Sequence, residues 1–165
     1  MNSAAGKVLG VTVGSTATVF LVVLAGHVAA AMTALGSGVL AALSAKGSTR
    51  HVFAGRVYFR ALITVFGTAL VLTAMRPRQD WYLALTGAVA LAAAWLGIRH
   101  RRVRRSGDTG HIVAMGASLA AVLTAFYVDN GPHLPAWDHL PTVAFWLLPG
   151  TVAAALVMRS VRRHL

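Results

Sequence analysis

The sequence contains no cysteine and only four acidic residues. Without cysteine there are no disulfides, no thiolate metal sites and no cysteine nucleophiles. Paired carboxylates within an apolar run, a Walker loop, an HExxH zinc motif and a serine-elbow motif are also missing, so the sequence predicts no enzymatic activity. Charged residues make up 12% of the chain and hydrophobic residues 57%. This composition is typical of an integral membrane protein and not of a soluble domain.

Four apolar segments have the length of a transmembrane helix, about 20 residues. They cover residues 57–75, 81–98, 111–128 and 142–158. The uncharged run 8–45 is too long for one transmembrane helix. If it formed two antiparallel helices, almost no residues would remain for the loop between them. We therefore predict one span at residues 20–45 after a looser N-terminal segment. The predicted fold is a single domain, an all-α bundle of five transmembrane helices, with six spans as the alternative.

Twelve of the fifteen Lys and Arg residues fall on one side of the predicted bundle. Because cytoplasmic loops accumulate basic residues, we predict a multi-pass protein of the bacterial inner membrane with its C-terminus in the cytoplasm. The densest basic run contains Arg99, Arg101, Arg102, Arg104 and Arg105. This run is expected to attract anionic lipid headgroups. The alternative is that it serves only to hold the loop on the cytoplasmic side. Nucleic-acid binding is not predicted, since the aromatic residues lie in and beside the spans and not between these arginines.

A short motif immediately precedes the second predicted span and reads His51-Val-Phe-Ala-Gly55-Arg56-Val-Tyr58. Together with His27 in the first span and His111 at the start of the fourth, the motif resembles a family of bacterial membrane proteins. Members of that family carry a histidine ahead of a Gly-Arg-x-Tyr element. The resemblance implies a transmembrane helix bundle and marks His27, His51, Tyr58 and His111, but it implies no reaction.

Two of these histidines are predicted to lie at the same membrane face, His51 in a loop and His111 at a helix start. With Arg56 and Tyr58 they form the predicted site of an accessory membrane protein, which would bind a lipid headgroup or a cofactor. A metal, a haem iron or a quinone headgroup would also suit two imidazoles. The alternative is that both histidines are bonded to backbone or to lipid phosphate.

His27 lies inside an apolar run, where a polar ring needs a partner, and an interhelical hydrogen bond is the simplest one. A redox protein with haem b is an alternative, in which His51 pairs with His111, and His27 pairs with His133 or His139. Haem ligands in bundles come from facing helices, and the second, third and fifth predicted spans contain no histidine. A small-solute transporter remains a further alternative.

Small residues are abundant within the spans and are expected to permit close approach between helices. They are Gly36, Ser37, Gly38, Gly67, Gly87, Gly97, Gly116 and Ser118. Such surfaces also pack against other chains, so a homo-oligomer or a scaffold subunit of a larger membrane complex is a further hypothesis.

Overall fold

The computed structural model describes residues 5–8, 11–103, 109–135, 137 and 139–162. A short antiparallel hairpin precedes the helices and consists of β1 (Ala5–Val8) and β2 (Val11–Gly14), with Ala5 opposite Gly14. The long helices are α1 (Ser15–Leu43), α2 (Thr49–Met75), α3 (Pro77–Val103), α4 (Thr109–Asn130) and α5 (Thr142–Arg162). A 3₁₀ turn, Gly131–His133, follows α4.

Within the described residues, five helices are long and apolar enough to cross a membrane. The predicted all-α bundle of five spans is therefore confirmed, and the helices indicate a multi-pass membrane protein. Large apolar side chains cover the outside of the bundle, and Val143 and Leu147 of α5 are each nearly three-fifths exposed. In a bilayer these side chains would face lipid, which solvates them as well as a protein core does.

The first four helices begin earlier than the apolar pattern predicts, and the differences are largest for α1 and α2. α1 begins at Ser15, so the looser segment predicted before residue 20 is already helical in its last turn. α2 begins at Thr49 because the Ser48 hydroxyl accepts a hydrogen bond from the backbone N–H of His51, at 3.2 Å, and caps the helix. His51 therefore lies in the first turn of α2, and its prediction as a loop residue was wrong. The apolar pattern misses this turn because a helix can continue beyond the hydrocarbon layer with polar residues.

Each helix packs against the next one along the chain, and α1 also contacts α4. Short connections between packed neighbours make consecutive helices antiparallel. At the turn from α1 to α2, Gly47 adopts a φ of 79°, a conformation that favours glycine. We call the end that holds this turn the basic end. Its described Lys and Arg residues are Lys46, Arg50, Arg56, Arg60, Arg99, Arg101, Arg102, Arg159 and Arg162.

Close helix contacts occur at several of the small residues that the sequence marks. A Cβ atom at Gly116 would overlap Val157 of α5, and one at Gly38 would lie 2.9 Å from Leu119. Gly97 and Gly87 likewise allow α3 to approach α4 and α2. Gly36 and Gly67 have no such neighbour within 4 Å. The small residues therefore serve packing at specific positions and not throughout the spans.

Candidate functional site

The structure brings His51 and His111 together at the basic end. Their ring centroids are 6.2 Å apart, and the ring planes are inclined by 69°. His51 stands in the first turn of α2 and His111 in the first turn of α4. Two residues that are 60 positions apart in sequence thus become neighbours because both helices begin at the same end of the bundle.

Both imidazole rings are held through the same ring nitrogen. Nδ1 of His51 lies 2.9 Å from the backbone oxygen of Ala41 in α1, and Nδ1 of His111 lies 3.0 Å from that of Gly97 in α3. A carbonyl oxygen only accepts, so each Nδ1 carries the hydrogen. In the neutral ring, Nε2 then presents a lone pair. The arrangement fixes both rings and leaves Nε2 of each as the nitrogen for a ligand.

A cavity of about 1240 Å³ contains both histidines in its wall. Most of its lining is apolar and comes from α1, α4 and α5, including Met115, Leu119, Leu123, Phe145, Leu148 and Leu156. Along α4 the cavity extends from His111 to Tyr127, a rise of roughly 24 Å. It is therefore a long apolar space that has its polar groups concentrated at the basic end.

Arginines supply the charge of that polar end. Arg56 and Arg60, one turn apart on α2, and Arg99 on α3 all line the cavity. The Arg99 guanidinium also lies 5.3 Å from the centre of the Trp95 ring, a cation–π distance. Among the described residues the acidic side chains are Asp80 and Asp129, and both lie at the opposite end of the bundle. The charges of the described residues at this end of the cavity therefore favour an anionic group.

Tyr58 lies directly beneath the histidine pair but its hydroxyl belongs to the core. The side chain is 1% exposed, and its hydroxyl lies 2.7 Å from the Ser118 hydroxyl. Ser118 donates to the backbone oxygen of Ala90 at 2.7 Å, so Tyr58 donates to Ser118. This chain of hydrogen bonds joins α2, α4 and α3. Tyr58 thus lines the cavity with its ring and supports the site from below.

His27 lies away from the histidine pair and is bonded between α1 and α2. Its Nδ1 is 2.9 Å from the Thr68 hydroxyl, which itself approaches the backbone oxygen of Thr64 at 2.8 Å. The interhelical hydrogen bond expected for His27 is therefore present. Ala41, whose backbone oxygen accepts the hydrogen bond from His51, lies 14 residues further along α1 than His27. This spacing corresponds to a rise of roughly 21 Å along the helix. The structure thus gives His27 a partner within the bundle in place of an external histidine.

The basic run that follows Trp95 is only partly described. Arg99 and Arg101 line the cavity at the end of α3. Arg102 belongs to α3 by its backbone, whereas Arg104 and Arg105 lie outside the described residues. In the part of the chain that the structure describes, no group of three or more His, Asp or Glu residues is placed to hold a metal ion.

Sequence reasoning missed two contributors to the site, the apolar wall from α5 and the capping role of Ser48. A serine directly before Thr-Arg-His is a recognisable helix-start signal and would have extended α2 to include His51. The α5 wall has no comparable signal, because it depends on which side of α4 the last helix packs.

The chain matches no protein-family model, no curated protein and no solved structure. The resemblance to a bacterial membrane family therefore stays a prediction.

Proposed function

We propose that this protein is an accessory membrane protein that binds an anionic amphiphile, a lipid or a cofactor, with its polar group at His51, Arg56 and His111. One observation carries the proposal. A single cavity joins a long apolar wall to a basic end where histidines and arginines converge. Ligand sites commonly combine a mainly apolar lining with a few convergent polar groups.

The apolar part of the cavity supports an occupant with a long or wide hydrocarbon body. Drug-sized ligands occupy pockets of roughly 300–1,000 Å³. The cavity of about 1240 Å³ exceeds that range. The aliphatic side chains that make up most of its lining, among them Leu119 and Leu156, offer no hydrogen-bonding group to a polar solute. The apolar wall would therefore solvate a hydrocarbon body about as well as the bilayer does, and the polar end would supply the preference for one ligand over bulk lipid.

The polar part supports a phosphate or a carboxylate. An arginine guanidinium matches the geometry of both groups and binds them with two parallel hydrogen bonds. Arg56 supplies this charge at the cavity wall, while the anchored rings of His51 and His111 orient the ligand. Tyr58 contributes by joining α2 to α4 through Ser118 beneath the pair.

Arg56→Gln tests the proposal in the purified full chain. Native mass spectrometry in mild detergent would compare retention of dioleoyl phosphatidylglycerol with that of dioleoyl phosphatidylcholine. We expect the anionic lipid to be retained preferentially, and Arg56→Gln to weaken its retention about fivefold, the equivalent of about 1 kcal/mol per basic residue. Arg50→Gln is the matched control, because Arg50 is exposed on the same helix and does not line the cavity. Equal retention by both variants, or no preference for the anionic lipid, would contradict the proposal.

We also propose that the basic end faces the cytoplasm of a bacterial inner membrane, since basic residues are retained on that side. The chain has no cysteine, so single-cysteine variants can be labelled without background. In intact spheroplasts a membrane-impermeant maleimide should label His133→Cys, and it should label Ser160→Cys only after permeabilisation. The opposite pattern would reverse the orientation.

A further inference from the structure

We infer that the occupant of this site is b-type haem, ligated by the imidazoles of His51 and His111. The inference rests on the proposed function, because haem is an anionic amphiphile with a flat apolar macrocycle and two carboxylates. It names the class of ligand that the histidine pair selects.

Both ligands stand on helices of the bundle. The predicted spans placed no histidine on the second helix, which argued against haem. The structure overturns that objection, because the Ser48 cap starts α2 at Thr49 and includes His51. Tyr58 on α2 and Ser118 on α4 share a hydrogen bond, so these two helices approach each other below the histidines. Cofactor sites in helix bundles are built in this manner from side chains of different helices.

The ring spacing suits one metal centre between two imidazoles. A ligating nitrogen lies about 2 Å from a first-row metal and about 1 Å from the centre of its own ring. Two imidazoles on opposite sides of one iron therefore have ring centroids roughly 6 Å apart. The observed separation of His51 and His111 is 6.2 Å.

The hydrogen bonds of the two rings match those of metal-bound histidines. A histidine that ligates a metal commonly donates its other ring N–H to a backbone carbonyl, which fixes its tautomer and raises its basicity. His51 donates to Ala41 and His111 donates to Gly97 in this way. In both rings Nδ1 is thus occupied by a backbone carbonyl, and Nε2 is the nitrogen that would ligate the metal.

The charge of the surroundings distinguishes haem from a bare metal cation. The arginines that line the cavity, among them Arg56, Arg60 and Arg99, would repel an additional cation, and the described acidic side chains lie at the opposite end. Haem carries propionates that these guanidinium groups can bind. Its macrocycle would lie against apolar lining such as Met115 and Trp95. The same residues that oppose a free divalent ion therefore favour haem.

Titration of ferric haem into the full-length protein in mild detergent tests the inference. The wild-type protein should bind one haem with the optical spectrum of six-coordinate low-spin iron, and its electron paramagnetic resonance spectrum should be that of two imidazole ligands. His51→Asn and His111→Asn keep a side-chain N–H near the position of Nδ1 but remove Nε2. Each should abolish the six-coordinate spectrum and weaken haem binding by at least about tenfold.

His100→Asn is the matched control, because His100 is exposed at the same end and bonds only within its own helix, to Leu96. It should leave the spectrum unchanged. Size-exclusion profiles would show whether each variant is folded, and added imidazole should restore the low-spin spectrum to the asparagine variants. If a variant does not fold, the electron paramagnetic resonance spectrum of the wild-type protein tests the inference by itself, since it shows whether two imidazoles ligate the iron.

Absence of haem binding by the wild type, or spectra that neither asparagine substitution alters, would overturn the inference. The proposed function has a separate readout. If haem does not bind but an anionic lipid is retained through Arg56, only the haem assignment fails. If neither is retained, both fail.

Discussion

The two ends of the helix bundle differ in how their polar side chains are partnered. At the end opposite the histidines, polar and aromatic side chains satisfy one another. Tyr82 donates to Asp129 at 2.7 Å, and the Tyr127 and Trp137 rings pack with centroids 5.0 Å apart. The Arg76 guanidinium lies 5.0 Å from the centre of the Phe20 ring. This end is held together by its own side chains.

At the basic end the charges are of one sign among the described residues. Lys46 donates to Ser160 of α5 at 3.1 Å, which links the α1–α2 turn to the last helix. The cavity reaches this end, and arginines line its wall here. Like charges gathered in one place disfavour the folded state unless an anion offsets them. Among the described residues, acidic side chains therefore lie at the end opposite the histidines, and the proposed binding site lies at the end where the described charges are basic.

The largest expected effect is on the α5 wall of the cavity. Gly116→Val should force α5 away from α4, because even a Cβ atom at this position would overlap Val157. Overpacking of this kind costs typically 1–3 kcal/mol of unfolding free energy. Thermal unfolding in detergent would measure the loss, and ligand retention should fall as the wall separates. Gly36→Val is the control, since Gly36 has no neighbouring heavy atom within 4 Å. Equal destabilisation by both variants would show that helix propensity, not packing, is responsible.

The next effect concerns the hydrogen bonds beneath the histidine pair. Ser118→Ala should lower the free energy of unfolding by about 1–2 kcal/mol, because it leaves the buried Tyr58 hydroxyl without its partner. Tyr58→Phe should cost less, since Ser118 can still donate to Ala90. Reversible unfolding in a denaturing detergent, with the double variant included, would separate the two contributions. A larger loss for Tyr58→Phe than for Ser118→Ala would contradict the direction of donation assigned here.

A smaller effect is expected at the opposite end. Tyr82→Phe removes the hydrogen bond to Asp129 and should cost about 0.6 kcal/mol, the average for such bonds in membrane helices. Retention of an anionic ligand should not change, because Tyr82 does not line the cavity. Unfolding in a denaturing detergent would measure the change in stability of Tyr82→Phe, and native mass spectrometry would measure its ligand retention. A change in retention would mean that the two ends are coupled through the bundle.

The smallest effect is expected from Ser160→Ala, which removes the hydrogen bond from Lys46 to α5. This contact is exposed, so the unfolding free energy should change by no more than about 0.5 kcal/mol. A loss well above that value, measured in the same unfolding titration, would show that the basic end is held together as firmly as the opposite end.

The sequence alone determined the class of fold, the five apolar helices and the segregation of basic residues. Each of these follows from composition and segment length, which are local properties. It also marked His51 and His111 as members of one site and anticipated an interhelical partner for His27. Apolar length could not place the start of α2, because the Ser48 cap begins the helix in polar sequence.

Only the tertiary structure decided how the marked residues are used. Tyr58 and Arg56 are two residues apart in sequence and both line the cavity. The Tyr58 hydroxyl is nevertheless bonded in the core, whereas Arg56 brings a charge to the cavity wall. The carbonyls that orient the two histidines come from α1 and α3, and the apolar wall comes from α5. Such contacts depend on which helix faces join, and that choice is made by packing of small residues such as Gly97 and Gly116 between distant segments.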